Sequence, residues 1–198
     1  MKRYRTLPGL FLAFVLALVT GCERDKPHYN GIDVTGAAIG PDFRLLDPDG
    51  KWRSLGEFRE QYVMLFFGFT QCPDVCPTSL ARAAVVRRSL AAEGIPVQVV
   101  FVTVDPERDT PARLREYASA FGGSFTSLTG PPERLAEIRK AYGVVAEKRV
   151  VAGTSAAYLI DHSAFVYIID PAGQLRLMFP FGMPVEDMTH DIKLLMQR

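Results

Sequence analysis

Apolar residues along this chain form continuous runs and helical spacings that follow one another. Residues 63–69 form a continuous apolar run and residues 97–104 a mostly apolar one, both typical of strands buried on both faces of a sheet. Residues 78–93 have helical spacing and stop before Gly94, a residue type that commonly ends helices. A second helix begins at Asp109-Thr110-Pro111, where a capping side chain precedes a proline suited to the first turn. This strand–helix order predicts parallel strands joined by helical crossovers.

The remainder of the pattern predicts the fold class. In chain order we expect a hairpin over 43–46 and 51–55, a strand at 125–128, a helix at 132–142, strands at 164–170 and 174–180, and a helix at 184–197. Residues 144–160 have little pattern and are predicted to be an extended excursion. The order predicts an α/β, thioredoxin-like sandwich: a central mixed β-sheet flanked by helices, with an N-terminal β-hairpin.

The first residues of the chain have the pattern of a targeting segment. Basic residues at positions 2, 3 and 5 precede an apolar run over 10–19, which is shorter than the ~20 residues of a spanning helix. The run ends in Val19-Thr20-Gly21-Cys22, which resembles a bacterial lipobox. We therefore predict a lipoprotein signal peptide over 1–21, with Cys22 lipidated and anchoring the protein to a membrane of the bacterial cell envelope. The alternative is an uncleaved signal anchor in which Cys22 is incidental.

The rest of the chain is predicted to divide into a tether and one domain. Residues 22–39 are polar and without period, which is typical of a flexible tether, and residues 40–198 form the domain, on the periplasmic or extracytoplasmic side. The segment 1–21 holds three of the 23 basic residues and no acidic ones, which leaves 20 basic against 22 acidic residues. No basic stripe is present, so nucleic acid is not expected as a partner.

The candidate chemistry lies in Cys72 and Cys76, which are separated by Pro73-Asp74-Val75. They follow a predicted central strand and adjoin the start of a helix, where such sheets place their functional groups. Residues four apart on a helix share a face, and the helix N-terminus favours thiolate over thiol. Two adjacent thiolates can hold a soft metal or cycle to a disulfide. A purely structural disulfide closing so short a loop would remove little entropy from the unfolded chain.

Three stretches together carry a family resemblance. They are residues 67–77 with both cysteines, residues 102–111, and residues 161–165 followed by 169–173. In this order they resemble the Sco/SenC family of copper-binding, thioredoxin-fold proteins that act in cytochrome c oxidase assembly. The resemblance implies a site for one copper ion per chain at Cys72, Cys76 and His162. It also implies delivery of copper to a cuproenzyme subunit, with cytochrome c oxidase subunit II as the expected client.

The residue types agree with copper. Two thiolates hold Cu(I) strongly, and an added imidazole gives a set that also accepts Cu(II). Structural zinc usually takes four protein ligands, and the chain offers three obvious ones. Asp161 is a candidate hydrogen-bond partner that would orient the His162 imidazole, or a residue that caps a turn. Asp74 is expected to approach the metal or bind a partner, or else to cap the turn or the helix.

Two other functions use the same cysteines. A thiol–disulfide reductase that keeps the client's cysteines reduced is the main alternative, although such enzymes use C-x-x-C and a cis-proline where this chain has Asp161-His162-Ser163. A copper or redox sensor is the other. A peroxiredoxin is excluded because the proline and threonine required ahead of its reactive cysteine are missing. Apart from thiol exchange between Cys72, Cys76 and a partner, no enzymatic activity is expected. Another periplasmic copper carrier or a thiol reductant is a further expected partner.

Overall fold

The computed structural model describes residues 28–150 and 158–197, so the predicted signal peptide and Cys22 lie outside the described residues. Four helices are described, and they are α1 (Val75–Ala92), α2 (Pro111–Ala120), α3 (Pro132–Ala141) and α4 (Val185–Leu195). The strands are β1 (Ile32–Asp33), β2 (Arg44–Leu46), β3 (Trp52–Ser54), β4 (Tyr62–Gly68), β5 (Val97–Thr103), β6 (Phe125–Leu128), β7 (Ala146–Arg149), β8 (Leu159–His162), β9 (Val166–Ile169) and β10 (Leu175–Phe179). A single 3₁₀ turn, Leu55–Phe58, follows the β2–β3 hairpin.

The main sheet has six strands in the order β1-β10-β9-β4-β5-β6. β4, β5 and β6 are parallel and joined by α1 and α2, whereas β9 pairs antiparallel with β4 and β10 pairs antiparallel with β9. The predicted mixed sheet flanked by helices is therefore confirmed. The cysteines follow the C-terminal end of β4, a central strand whose seven residues are all buried.

Aromatic side chains pack on both faces of this sheet. Because side chains alternate along a strand, Phe66 and Phe67 point to opposite faces. Phe66 stacks on Phe101 of the neighbouring strand, with ring centroids 6.4 Å apart. Phe67 meets Tyr142 and Tyr167 on the other face, at 5.4 and 5.8 Å. Rigid packing on both faces holds β4, and hence the loop that follows it, in one position.

The structure differs from the predicted tether, which extends to residue 39. From Tyr29 onward the chain packs on the domain: Tyr29 is buried, and β1 adds a strand to the sheet edge beside β10. Asp191 of α4 is fully buried and accepts hydrogen bonds from the backbone N–H groups of Asn30 and Gly31, at 3.1 and 2.8 Å. This short strand carries no hydrophobic period, because both its residues are exposed.

Residues 144–150 and 158–160 are also more regular than their pattern predicts. β7 and β8 form an antiparallel hairpin, with Ala146 opposite His162 and Arg149 opposite Leu159. The alternation of apolar and polar residues is missing from β7 because three of its four residues are exposed. Residues 151–157, between the two strands, lie outside the described part of the chain.

Candidate metal centre

The cysteine loop connects β4 to α1. The helix begins at Val75, so Cys76 lies in its first turn and Cys72 precedes it. The two thiols therefore do not share a helix face as predicted. Instead the backbone N–H of Cys76 points at Cys72 Sγ, 3.4 Å away. Free N–H groups at a helix start favour an anion, so the Cys72 sulfur occupies a position that stabilises a thiolate.

Gly68, the last residue of β4, leaves the space in which the Cys76 sulfur lies. A Cβ atom at this position would be 2.8 Å from Cys76 Sγ and 2.9 Å from Phe66. Cys76 is fully buried there, whereas Cys72 is partly exposed. Sequence reasoning did not identify Gly68, because a glycine that ends an apolar run looks like an ordinary strand terminus.

His162 is the last residue of β8 and lies beside the two cysteines. Its Nε2 lies 3.3 Å from Cys76 Sγ, and its Nδ1 lies 2.9 Å from the carbonyl oxygen of Ser163. A carbonyl oxygen can only accept, so Nδ1 carries the proton and Nε2 presents its lone pair to the sulfurs. The imidazole edge packs against the rings of Phe66 and Phe69, at 6.1 and 5.8 Å between centroids. The ring is thus oriented by backbone and by aromatic contacts.

The structure brings the three predicted ligand residues together. One sulfur from each of Cys72 and Cys76 and one nitrogen from His162 all lie within 4.8 Å of one another. Both cysteines are free thiols. Two sulfurs and one imidazole nitrogen form a donor set suited to a soft or borderline metal ion.

The carboxylates of Asp161 and Asp74, predicted to support the metal ligands, do not contact them. Asp161 precedes His162 on a strand and so points away from the thiols, and its carboxylate forms an exposed ion pair with Arg149 at 3.0 Å. The backbone carbonyl of Ser163 takes the orienting role instead. Asp74 is at the N-cap of α1, and its exposed carboxylate accepts a hydrogen bond from the Thr78 hydroxyl at 3.3 Å. The backbone N–H of Asp74, and not its carboxylate, faces the Cys72 sulfur.

The thiols differ in acidity because they share one hydrogen bond. The Cys76 thiol donates to the Cys72 sulfur and lowers the pKa of Cys72 to about 4. Burial opposes this effect, and the backbone N–H groups of Cys76 and Asp74 reinforce it. The same hydrogen bond, together with burial, raises the pKa of Cys76. The metal-free pair therefore holds one thiolate on Cys72 and one proton on Cys76.

Asp109 is a buried residue that holds the start of the cysteine loop. Its carboxylate accepts hydrogen bonds from the hydroxyls of Thr70 and Thr103, both at 2.6 Å, and from the Thr70 N–H at 3.2 Å. Burial raises the pKa of Asp109, and these hydrogen bonds oppose that rise. The sequence predicts Asp109 as part of a helix start, but Thr110 is the capping residue of α2.

A thioredoxin-like domain with a donor set of two cysteines and one histidine defines a class of metal-binding protein. Similarity to known proteins identifies the family within that class. Residues 33–197 match the family described as SCO1/SenC. The chain belongs to the SCO1/SenC family.

The relatives come from mitochondria and from bacteria. The human mitochondrial Protein SCO2 homolog is 41% identical over 197 residues, covering 94% of this chain and 73% of that protein. The SCO2-like protein of Rickettsia conorii is 35% identical over 171 residues, covering 85% and 83%. Arabidopsis thaliana ScoI, solved with copper bound, has a TM-score of 0.75 at 32% identity and covers 81% of this chain and 100% of its own. Across residues 28–150 and 158–197, no helix has the length and apolar character needed to cross a bilayer.

Proposed function

We propose that this protein binds one copper ion through Cys72, Cys76 and His162 and delivers it to the copper site of cytochrome c oxidase. The observation that carries the proposal is the convergence of the two sulfurs and the imidazole nitrogen within 4.8 Å. Copper is preferred to zinc because two thiolates satisfy Cu(I), and the imidazole extends the set to Cu(II). The copper-bound structure of the Arabidopsis relative supports the choice.

Delivery requires that the ion can leave, and the position of the site allows this. Cys76 is buried, but Cys72 and His162 are partly exposed, so an incoming thiolate or imidazole of the partner can reach the ion from one side. The ligands would then be replaced one at a time. The expected acceptor is subunit II of the oxidase, and another periplasmic copper carrier is the expected source. A Cys72–Cys76 disulfide would abolish the site, so a thiol reductant is also required.

The anchor is part of the proposal. The lipobox-like residues 19–22 support lipidation of Cys22 as the first residue of the mature chain, with residues 1–21 removed. The folded domain would then be held at the membrane on the extracytoplasmic side of a bacterial cell. Mass spectrometry of the protein extracted from bacterial membranes tests the anchor, with Cys22→Ser as the matched variant. The expected wild-type product begins at Cys22 and carries lipid on it, and a wild-type chain that retains residues 1–21 without lipid contradicts the anchor.

Copper titration of the pre-reduced protein tests the ligand set. Cys72→Ser and Cys76→Ser are expected to remove most copper affinity, because each removes a thiolate. His162→Ala is expected to weaken Cu(II) more than Cu(I), because two thiolates alone satisfy the monovalent ion. His190→Ala is the matched control, since this imidazole is 59% exposed and pairs with Asp191 at 3.1 Å in α4. Normal Cu(II) binding by His162→Ala contradicts the three-ligand site.

A thiol–disulfide reductase is the second candidate, favoured by the stabilised and partly exposed Cys72 thiolate. This thiolate could attack a partner disulfide, and Cys76 would then displace the partner and form the Cys72–Cys76 disulfide. Two electrons pass from the two thiols to the partner, which leaves as a dithiol. Turnover of a disulfide substrate with a thiol reductant, without copper, would support this activity.

A further inference from the structure

His162 and the two cysteines lie outside the strands of the main sheet. His162 belongs to β8, which within the described residues pairs only with β7 in a separate two-stranded sheet. Cys76 is 86 residues earlier, at the start of α1. The main sheet brings the two segments near each other, because β9 begins four residues after His162 and pairs with β4, the strand before the cysteine loop. No strand pairing includes His162 together with either cysteine, so side-chain contacts between the β7–β8 hairpin and the cysteine loop complete the placement of the imidazole.

Arg108, in the loop between β5 and α2, contacts the residue that leads into β8. Its Nη1 donates to the carbonyl oxygen of Tyr158 at 2.8 Å, and its guanidinium carbon lies 3.6 Å from the centre of the Tyr158 ring. Tyr158 directly precedes β8, so its position determines where the strand carrying His162 begins. Hydrogen bonding and stacking by one planar group hold a residue more firmly than a single point charge would.

The same guanidinium also contacts the cysteine loop. Its carbon lies 5.7 Å from the centre of the Phe69 ring, and its Nη1 lies 3.5 Å from the side-chain oxygen of Gln71, the residue before Cys72. Phe69 in turn packs against the His162 imidazole, with centroids 5.8 Å apart. Arg108 is therefore in contact with the loop that carries the thiols and with the segment that leads to the imidazole.

Asp105 holds the guanidinium in this orientation. It forms an ion pair with Arg108 Nε and accepts a hydrogen bond from the Tyr158 hydroxyl at 2.7 Å. The Asp105 side chain is 1% exposed and that of Arg108 is 16% exposed, so water competes little for the pair. A second link between the same segments, from Lys148 to Glu107, is half exposed and screened by solvent. The buried link is the one that can set a distance.

We propose that Arg108 is a positioning residue that places His162 against Cys72 and Cys76, and thereby gives the site its affinity for Cu(II). The proposal rests on the copper function proposed above. Cu(I) binding depends on the two thiolates and does not need the imidazole to be placed. Loss of Arg108 should therefore change the ratio of the two copper affinities, a result that loss of general stability does not predict.

The test uses conservative variants that keep most of the side chain's charge or shape. Arg108→Lys keeps a positive charge beside buried Asp105 but loses the stack and the second donor, and Tyr158→Phe keeps the ring and carbonyl but loses the hydroxyl. Arg115→Lys is the matched control, because its ion pair with Asp49 is exposed at 53% and 66%. We expect Arg108→Lys to weaken Cu(II) by about 10- to 100-fold, the range seen when a supporting contact of a metal ligand is lost. Tyr158→Phe should show a smaller loss, with Cu(I) affinity unchanged in both.

A second readout needs no metal. Hydrogen exchange of the β8 amides in the metal-free full chain should be faster in Arg108→Lys and unchanged in Arg115→Lys. Equal Cu(II) affinity in Arg108→Lys and wild type, or a parallel fall of Cu(I) and Cu(II) affinities, would overturn the proposal. If the wild-type chain bound no Cu(II), the copper function would fail, and unchanged exchange of β8 would then separately refute the positioning role.

Discussion

Replacing Gly68 with alanine tests whether the space at the end of β4 is needed by the Cys76 sulfur. The new methyl group would lie 2.8 Å from Cys76 Sγ, 2.9 Å from Phe66 and 3.0 Å from Phe101, where ordinary contact begins at 3.4 Å. Each neighbour must therefore retreat by about 0.4 to 0.6 Å, and both rings lie in the packed core. Overpacking of this kind costs about 1–3 kcal/mol.

The expected result is a double loss. For a chain of this length that cost lowers Tm by roughly 2–12 °C, and displacement of the sulfur should also weaken copper binding measured at a temperature where the variant is folded. Gly56→Ala is the control, since its Cβ would meet only the carboxylate end of Asp42, at 3.2 Å, and a side-chain oxygen and nitrogen at longer range. A Gly68→Ala protein with wild-type Tm and wild-type copper affinity would show that the Cys76 sulfur does not need the space that Gly68 leaves.

Three further predictions concern groups around the site and the first strand. Iodoacetamide, followed by mass spectrometry, should modify Cys72 before buried Cys76. The Cys72 reaction should be about as fast at pH 6 as at pH 8.5, because a pKa of about 4 leaves this thiol ionised at both values. An ordinary thiol would react about a hundredfold more slowly at pH 6, and such slowing of Cys72 would contradict the prediction. Asp109→Asn should lower the free energy of unfolding by about 1–3 kcal/mol in urea, since the amide group cannot accept all of the hydrogen bonds that the carboxylate accepts; an unchanged midpoint contradicts this. Asp191→Ala should speed hydrogen exchange at Gly31, whose N–H loses its acceptor, and protection equal to wild type would show that β1 is held by other contacts.

The sequence predicts best the strands that are buried along their whole length, because burial on both faces produces a run of apolar residues. β4 and β5 are buried along their length, so their apolar runs locate them to within one residue. Cys72, Cys76 and His162 were also predictable, because sulfur and imidazole in three family-like stretches identify a donor set. Their convergence within 4.8 Å agrees with that reading.

The features that the sequence does not predict depend on contacts between distant segments. Nothing in the local sequence says that Ser163 supplies the carbonyl for His162, or that Asp109 reaches Thr70 across 39 residues. β7 is exposed on most of its length, so it has no period to reveal it. The orienting role expected of Asp161 fails for a related reason: adjacent residues on a strand point to opposite sides.

X-ray absorption at the copper edge of the loaded full-length protein reports the ligands themselves. We expect two sulfur ligands and one imidazole nitrogen per copper ion, with one sulfur lost in Cys72→Ser and the imidazole signal lost in His162→Ala. A copper ion surrounded only by nitrogen and oxygen atoms, or a spectrum unchanged by either substitution, would contradict this ligand set.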